Sequence, residues 1–151
     1  MSYAIALHIL SSIVWVGGMF FAYVVLRPQA ASQLEPPERL TLWAGCFDRF
    51  FPWVWGAVVL LPATGYWAIF SFFGGMGNVG LYVHIMNGIG LVMIALFVFL
   101  YFVPYRRLKR AVAEQNWPEG GKNLNMIRRI VGTNLLLGLI TAVVAGGGRY
   151  F

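Results

Sequence analysis

Four uninterrupted apolar stretches, each about 20 residues long, constrain the fold of this chain more than any other feature. Their approximate bounds are residues 3–26, 51–72, 80–103 and 130–147. A helix of about 20 residues crosses the roughly 30 Å hydrocarbon layer of a bilayer. Backbone polar groups find no water there, so a helix that pairs them internally is the fold expected. The sequence predicts an all-α integral membrane protein, a single four-transmembrane-helix bundle.

Composition supports this class and excludes others. The chain is 60% hydrophobic and 11% charged, whereas a soluble domain has about 25% charged residues. Its formal net charge of +6 resides mainly in the connections between apolar stretches, which predicts contact with membrane lipid and not with nucleic acid. The single cysteine, Cys46, excludes an intrachain disulfide and a cysteine-based metal site.

The charge distribution also predicts a topology. Basic residues are concentrated in the connections after the first and third stretches, and the connection after the second has none. By the positive-inside rule we expect a multi-pass protein of the bacterial inner (cytoplasmic) membrane, with both termini periplasmic. No basic region or cleavage site marks the first stretch as a signal peptide, so we expect a retained helix. Residues 38–50 mix charges with Leu, Trp and Phe, which predicts either an interfacial helix or an extension of the second helix.

Two histidines are the principal functional candidates. His8 and His84 are the only histidines in the chain, and each lies a few residues inside a different apolar stretch. An imidazole in hydrocarbon is costly without a partner and indicates a functional site by default. With both helices starting outside, His8 lies about 7.5 Å deep and His84 about 6 Å deep. At matched depth they could share one metal or haem iron; alternatively, each only hydrogen-bonds a neighbouring helix.

The side chains available as ligands limit which metals could be bound. Neutral imidazole suits haem iron, copper and zinc, but structural zinc needs four ligands and no acidic residue is predicted at this depth. Cuprous copper accepts two imidazoles, or one with a thioether, although Met86 points about 200° around the helix from His84. Aromatic residues, 17% of the chain, could line a porphyrin. The residues favour a haem b with His8 and His84 as axial ligands; bound copper is the alternative.

Other polar or small residues complete the predicted cofactor-binding set. Two faces carry them, one continuing from His8 and one from His84, and the basic residue near the C-terminus could bind haem propionates. The full set is His8, His84, Ser12, Trp15, Gly18, Asn87, Gly88 and Arg149. The paired glycines at 17 and 18 leave room for a macrocycle or, alternatively, for close helix packing.

Two sequence patterns resemble a known group of proteins. The pattern Leu7-His8-Ile9 followed by Trp15-x-Gly17-Gly18-Met19-Phe20 resembles the first helix of the CopD-like superfamily of four-helix membrane proteins, and the opening of the third stretch, Gly80 to Met86, is also similar. The superfamily includes the membrane domain of copper-resistance protein CopD and the HemJ family of protoporphyrinogen oxidases.

The resemblance implies two chemistries. HemJ-like proteins carry haem b, and their first-helix histidine matches His8, but Met86 stands where they have a functionally required lysine. CopD membership would imply copper uptake or handling. We therefore expect an electron-transfer haem protein with a quinone or redox protein as partner, with a copper-binding or copper-transport protein as the alternative and a porphyrin oxidase less favoured. No convincing catalytic constellation indicates an enzyme, and a homodimer is plausible for so small a bundle.

Overall fold

Four long helices form the protein. The structure, a computed structural model, describes residues 2–150, apart from the side chains of Ser2 and Arg149. The helices are α1 (Tyr3–Gln33), α2 (Pro36–Phe72), α3 (Leu81–Ala113) and α4 (Trp117–Gly147), and each is long and apolar enough to cross a membrane. The predicted class, an all-α bundle of four transmembrane helices, is confirmed.

Short connections join the helices, so that successive helices run in opposite directions and the bundle has two distinct ends. We call the end with connections 34–35 and 114–116 the charged end, and the end with connection 73–80 the uncharged end. At the uncharged end the chain turns through Gly74 and Gly75, whose φ angles of 75° and 134° favour glycine. α1 packs along α2 and α3 along α4, while α4 also contacts α1 and α2.

Two helices continue past the prolines at which the sequence predicted an end. We expected the first helix to end before Arg27-Pro28 and the third before Pro104. Instead a π-helical segment, Phe21–Leu26, precedes Pro28 in α1, and another, Tyr101–Tyr105, contains Pro104 in α3. A proline removes one backbone donor and crowds the preceding turn, and the wider π turn accommodates that change without ending the helix.

The helices also extend beyond the apolar stretches at the charged end. Residues 38–50 belong to the uninterrupted helix Pro36–Phe72, so they form an extension of α2 and not a separate interfacial helix. α4 already begins at Trp117, where the Asn116 side chain accepts a hydrogen bond from the Glu119 amide and Pro118 fits the first turn. At 37 residues α2 is about 55 Å long, more than a bilayer core requires.

The interior is built around aromatic rings. Phe47 and Phe51 stack at 4.9 Å between ring centroids, and Phe51 meets Tyr105 edge-on at 4.7 Å. Phe97 joins the same cluster from α3. The outward faces are apolar as well: Ile13, for example, is 61% exposed. Such faces suit a lipid environment, which is the solvent that the helix lengths also indicate.

Candidate functional site

His8 is held against α2 near the uncharged end. Its ring is partly buried, and Nδ1 lies 2.9 Å from the Oγ1 atom of Thr64. Thr64 itself is buried. The imidazole also lies against the backbone at Gly65, where an added Cβ atom would come within 3.2 Å of the His8 Cε1 atom. One hydroxyl and one missing side chain on α2 therefore set the position of this ring.

The hydrogen bonds of Thr64 indicate which nitrogen of His8 carries the proton. A threonine hydroxyl has one proton to donate, and Oγ1 of Thr64 donates it to the Leu60 carbonyl, 2.5 Å away in the preceding turn. Toward His8 the same oxygen acts as the acceptor, so Nδ1 is the protonated nitrogen. In the neutral ring Nε2 then has a free lone pair, which is the form that ligates a metal.

His84 has different surroundings. Its side chain is exposed, and the part of the chain that the structure describes offers it no hydrogen bond or ion pair. One turn further along α3, Asn87 accepts a hydrogen bond from the Tyr66 hydroxyl and so ties α3 to α2. Because α1 packs along α2 and α3 along α4, the two histidines lie on helices that are not principal partners. Their sharing of one ion stays a prediction.

Other predicted residues make packing contacts or local hydrogen bonds in the structure, and their binding of a cofactor stays a prediction. Ser12 donates to the Ile9 carbonyl of its own helix. Trp15 is buried and meets Phe97 edge-on at 6.2 Å between centroids. Gly18 lets the Phe50 ring approach so closely that a Cβ atom there would lie 2.3 Å from it, which is the close-packing alternative.

The last two predicted residues are Gly88 and Arg149. Gly88 faces open space, because a Cβ atom added there would meet nothing within 4 Å. The side chain of Arg149 lies outside the described part of the chain, so its predicted role toward propionates stays a prediction.

The donor set limits what could be bound. Within residues 2–150 no group of three or more His, Cys, Asp or Glu side chains is placed to hold a metal ion. Cuprous copper is the ion that is satisfied by two soft or borderline donors. The imidazole of His8, with its Nε2 atom free, therefore fits cuprous copper better than an ion that demands four ligands.

A haem between the two histidines receives no support from the geometry. A macrocycle needs a cleft between its two axial ligands. The most pronounced cavity in residues 2–150 opens at the charged end, and a much smaller one lies within the aromatic core. Neither is lined by His8 or His84.

Thr64, Gly65 and Tyr66 are the site residues that the sequence did not reveal. They form one run on α2, and their partners lie on α1 and α3. The available signal was a threonine next to a helix-weakening glycine inside an apolar stretch. Such residues are common in membrane helices. They indicate a site only once the structure shows that this part of α2 faces His8.

Comparisons with known proteins point to copper. The sequence model of the family CopD, copper resistance protein D, matches residues 44–147. The matched range includes His84, Thr64 and Asn87, whereas His8 lies before it. No match was found among curated proteins or solved structures. Of the two expected chemistries, copper therefore fits better, and haem, iron and electron transfer are not supported. Because the match covers more than half of the chain, this four-helix membrane protein belongs to the CopD family of copper resistance proteins.

Proposed function

We propose that this protein binds cuprous copper as its substrate near the uncharged end of the bundle, with His8 as the principal ligand. The observation that supports this proposal most directly is the bonding of the Thr64 hydroxyl. It donates a hydrogen bond to the Leu60 carbonyl and accepts one from Nδ1 of His8. This arrangement leaves Nε2 of His8 as a lone-pair donor in a fixed position. The match to the copper resistance protein D family supports copper as the metal.

His84 is the second ligand in this proposal. Its exposed imidazole is free to turn toward an ion, and two imidazoles satisfy cuprous copper. The loose hold on His84 and the firm hold on His8 suit a site that must accept and release its cargo. A rigid site with both ligands fixed would retain the ion.

The packed interior of the bundle is more consistent with copper binding and release at one end than with copper passing through the protein. Between His8 and the charged end the bundle is filled by packed rings, including Trp15, Phe51 and Phe97. The cavity in that core measures about 20 Å³, enough for about one water molecule. We therefore assign copper binding and exchange to the uncharged end, on the periplasmic side that the charge distribution predicts.

The proposal is tested by anaerobic titration of cuprous copper against a coloured copper(I) chelator. In the purified protein, His8→Ala should weaken copper binding at least about tenfold, the size of effect seen even for the outer partners of metal ligands. His84→Ala should weaken it less, because that ligand is not preorganised.

Thr141→Ala is the control, since Thr141 lies on α4 outside the predicted site and its hydroxyl donates to the Leu137 carbonyl of its own helix. Its affinity should equal that of the wild type. An affinity of His8→Ala equal to that of the wild type would show that copper, if bound, is held elsewhere.

A further inference from the structure

A large cavity at the charged end is not used by the proposed copper site. Its volume is about 630 Å³, within the roughly 300–1,000 Å³ typical of ligand sites. Residues 22–31 of α1, 36–47 of α2 and 117–131 of α4 contribute its walls. The stretch of α4 alone spans roughly 21 Å at the helical rise, so the cavity is elongated along the helices.

Three arginines from three different helices line this cavity: Arg27, Arg39 and Arg128. No aspartate or glutamate is among the lining residues. The salt bridge found in residues 2–150 joins Lys109 to Asp48, so none of the three arginines has a carboxylate within 4.0 Å there. Three guanidinium groups that line one cavity favour an anionic ligand, because each offers charge-assisted hydrogen bonds.

The same cavity has apolar walls. Trp43 and Phe47 of α2, 6% and 5% exposed, line it together with Leu124 and Val131 of α4. A small hydrated anion gains nothing from such walls. A molecule with an anionic head and an apolar body is complementary to both features, since burial of apolar surface adds to the charge attraction.

One of the arginines is positioned before any ligand arrives. The Arg27 guanidinium lies over the Tyr23 ring at 4.5 Å, and its Nε donates to the Tyr23 carbonyl at 3.2 Å. The Tyr23 ring in turn packs on Gly132 of α4, where an added Cβ atom would come within 2.8 Å of it. Tyr23 belongs to the π-helical segment Phe21–Leu26, a kind of segment often found at functional sites.

We propose that this cavity binds one anionic phospholipid, with its phosphate on Arg27, Arg39 and Arg128 and its glycerol and upper acyl chains along Trp43 and Phe47. The helices that form the cavity are long and apolar enough to cross a membrane, so lipid is the amphiphile at hand. The cavity is much longer than a free phosphate ion. Its three arginines favour an anionic headgroup over a zwitterionic one.

Native mass spectrometry of the detergent-purified, delipidated protein tests this. Phosphatidylglycerol should add as one tightly retained molecule per chain, and phosphatidylcholine should not. The variant R27Q/R39Q/R128Q should bind phosphatidylglycerol at least about tenfold more weakly, the loss expected for even one charge-assisted hydrogen bond. R107Q/R110Q/R129Q removes the same charge outside the cavity and should stay within about threefold of the wild type.

A second pair of variants leaves every arginine in place. Gly121 lines the cavity and has open space around it, so the side chain of Gly121→Leu should project into the cavity and weaken lipid binding. Gly45 is equally open but does not line the cavity, so Gly45→Leu should bind lipid as the wild type does. Equal losses in both arginine triples, or equal losses in both glycine variants, would overturn the proposal.

The competing anion must also be excluded. Inorganic phosphate at millimolar concentration should not displace phosphatidylglycerol, because it cannot use the apolar walls. Displacement by phosphate alone would show that the cavity is a small-anion site and would overturn the lipid assignment. Equal retention of phosphatidylcholine would overturn it too.

Discussion

A single hydroxyl gives His8 its chemical character. The Thr64 hydroxyl donates a hydrogen bond to the Leu60 carbonyl and accepts one from Nδ1 of His8. The imidazole is thereby fixed in orientation and in tautomer, with Nε2 available to an ion. Outer partners of this kind usually matter to metal affinity nearly as much as the ligands do.

Thr64→Val tests that role. Valine keeps the shape of threonine but cannot accept a hydrogen bond, so the His8 ring loses its tautomer preference and its anchor. We expect cuprous copper to bind about 10- to 100-fold more weakly, by chelator competition. Thr64→Ser retains the hydroxyl and should bind copper within a few fold of the wild type; if both variants bind like the wild type, Thr64 has no positioning role.

The sequence pointed to His8 and missed Thr64 for a physical reason. A lone imidazole in an apolar stretch is conspicuous because its cost in hydrocarbon needs an explanation. A threonine in a helix can satisfy its own hydroxyl within the preceding turn, as Thr64 does with Leu60. The bond between His8 and Thr64 spans 56 residues of chain, so only the packing of α1 on α2 reveals it.

At the scale of the helices, glycines decide how closely neighbours approach. Gly17 and Gly18 are adjacent in α1 but differ in surroundings. An added Cβ atom at Gly18 would lie 2.3 Å from the Phe50 ring of α2, whereas one at Gly17 would meet nothing within 4 Å. Gly18 is therefore a packing contact between α1 and α2, and Gly17 is not.

Alanine at these two positions should have opposite effects. Gly18→Ala should lower the free energy of unfolding by about 1–3 kcal/mol, because the Phe50 ring must move. Gly17→Ala should raise it by about 0.4–1 kcal/mol, because the unfolded chain loses freedom without a new clash. Thermal unfolding of both variants in one detergent compares them directly, and a Gly18→Ala variant as stable as Gly17→Ala would contradict the packing at this contact.

Helix ends were harder to predict than helix existence. The length of an apolar stretch indicates where a helix crosses the hydrocarbon layer, but it does not limit how far the helix continues beyond that layer. α1 passes Pro28 and α3 passes Pro104 through π-helical turns, and the Asn116 cap starts α4 well before its apolar stretch. Caps and π turns are local backbone devices, and their side chains also occur in ordinary loops.

At the scale of the whole molecule, the two ends differ in charge. Basic residues surround the connections at 34–35 and 114–116, and the connection at 73–80 has no charged residue. The proposed copper site lies at the uncharged end, and the cavity proposed to bind lipid lies at the charged end. The positive-inside rule predicts that the copper site faces the periplasm.

Cysteine labelling in intact cells tests this orientation. In a Cys46→Ser background, Asn78→Cys at the uncharged end should react with a membrane-impermeant maleimide. Gln115→Cys at the charged end should react only after the cells are permeabilised. Both positions are exposed, so the reverse labelling pattern would show that the topology is inverted.

Copper in place of haem is the central claim, and one preparation tests it most directly. The protein is expressed with ample copper and haem precursor, purified anaerobically, and examined for metal content and for its visible spectrum before and after dithionite. We expect bound copper that is lost in His8→Ala and no haem absorption bands. A red protein without copper, with reduced α and β bands that disappear in both His8→Ala and His84→Ala, would contradict the copper assignment and establish a bis-histidine haem.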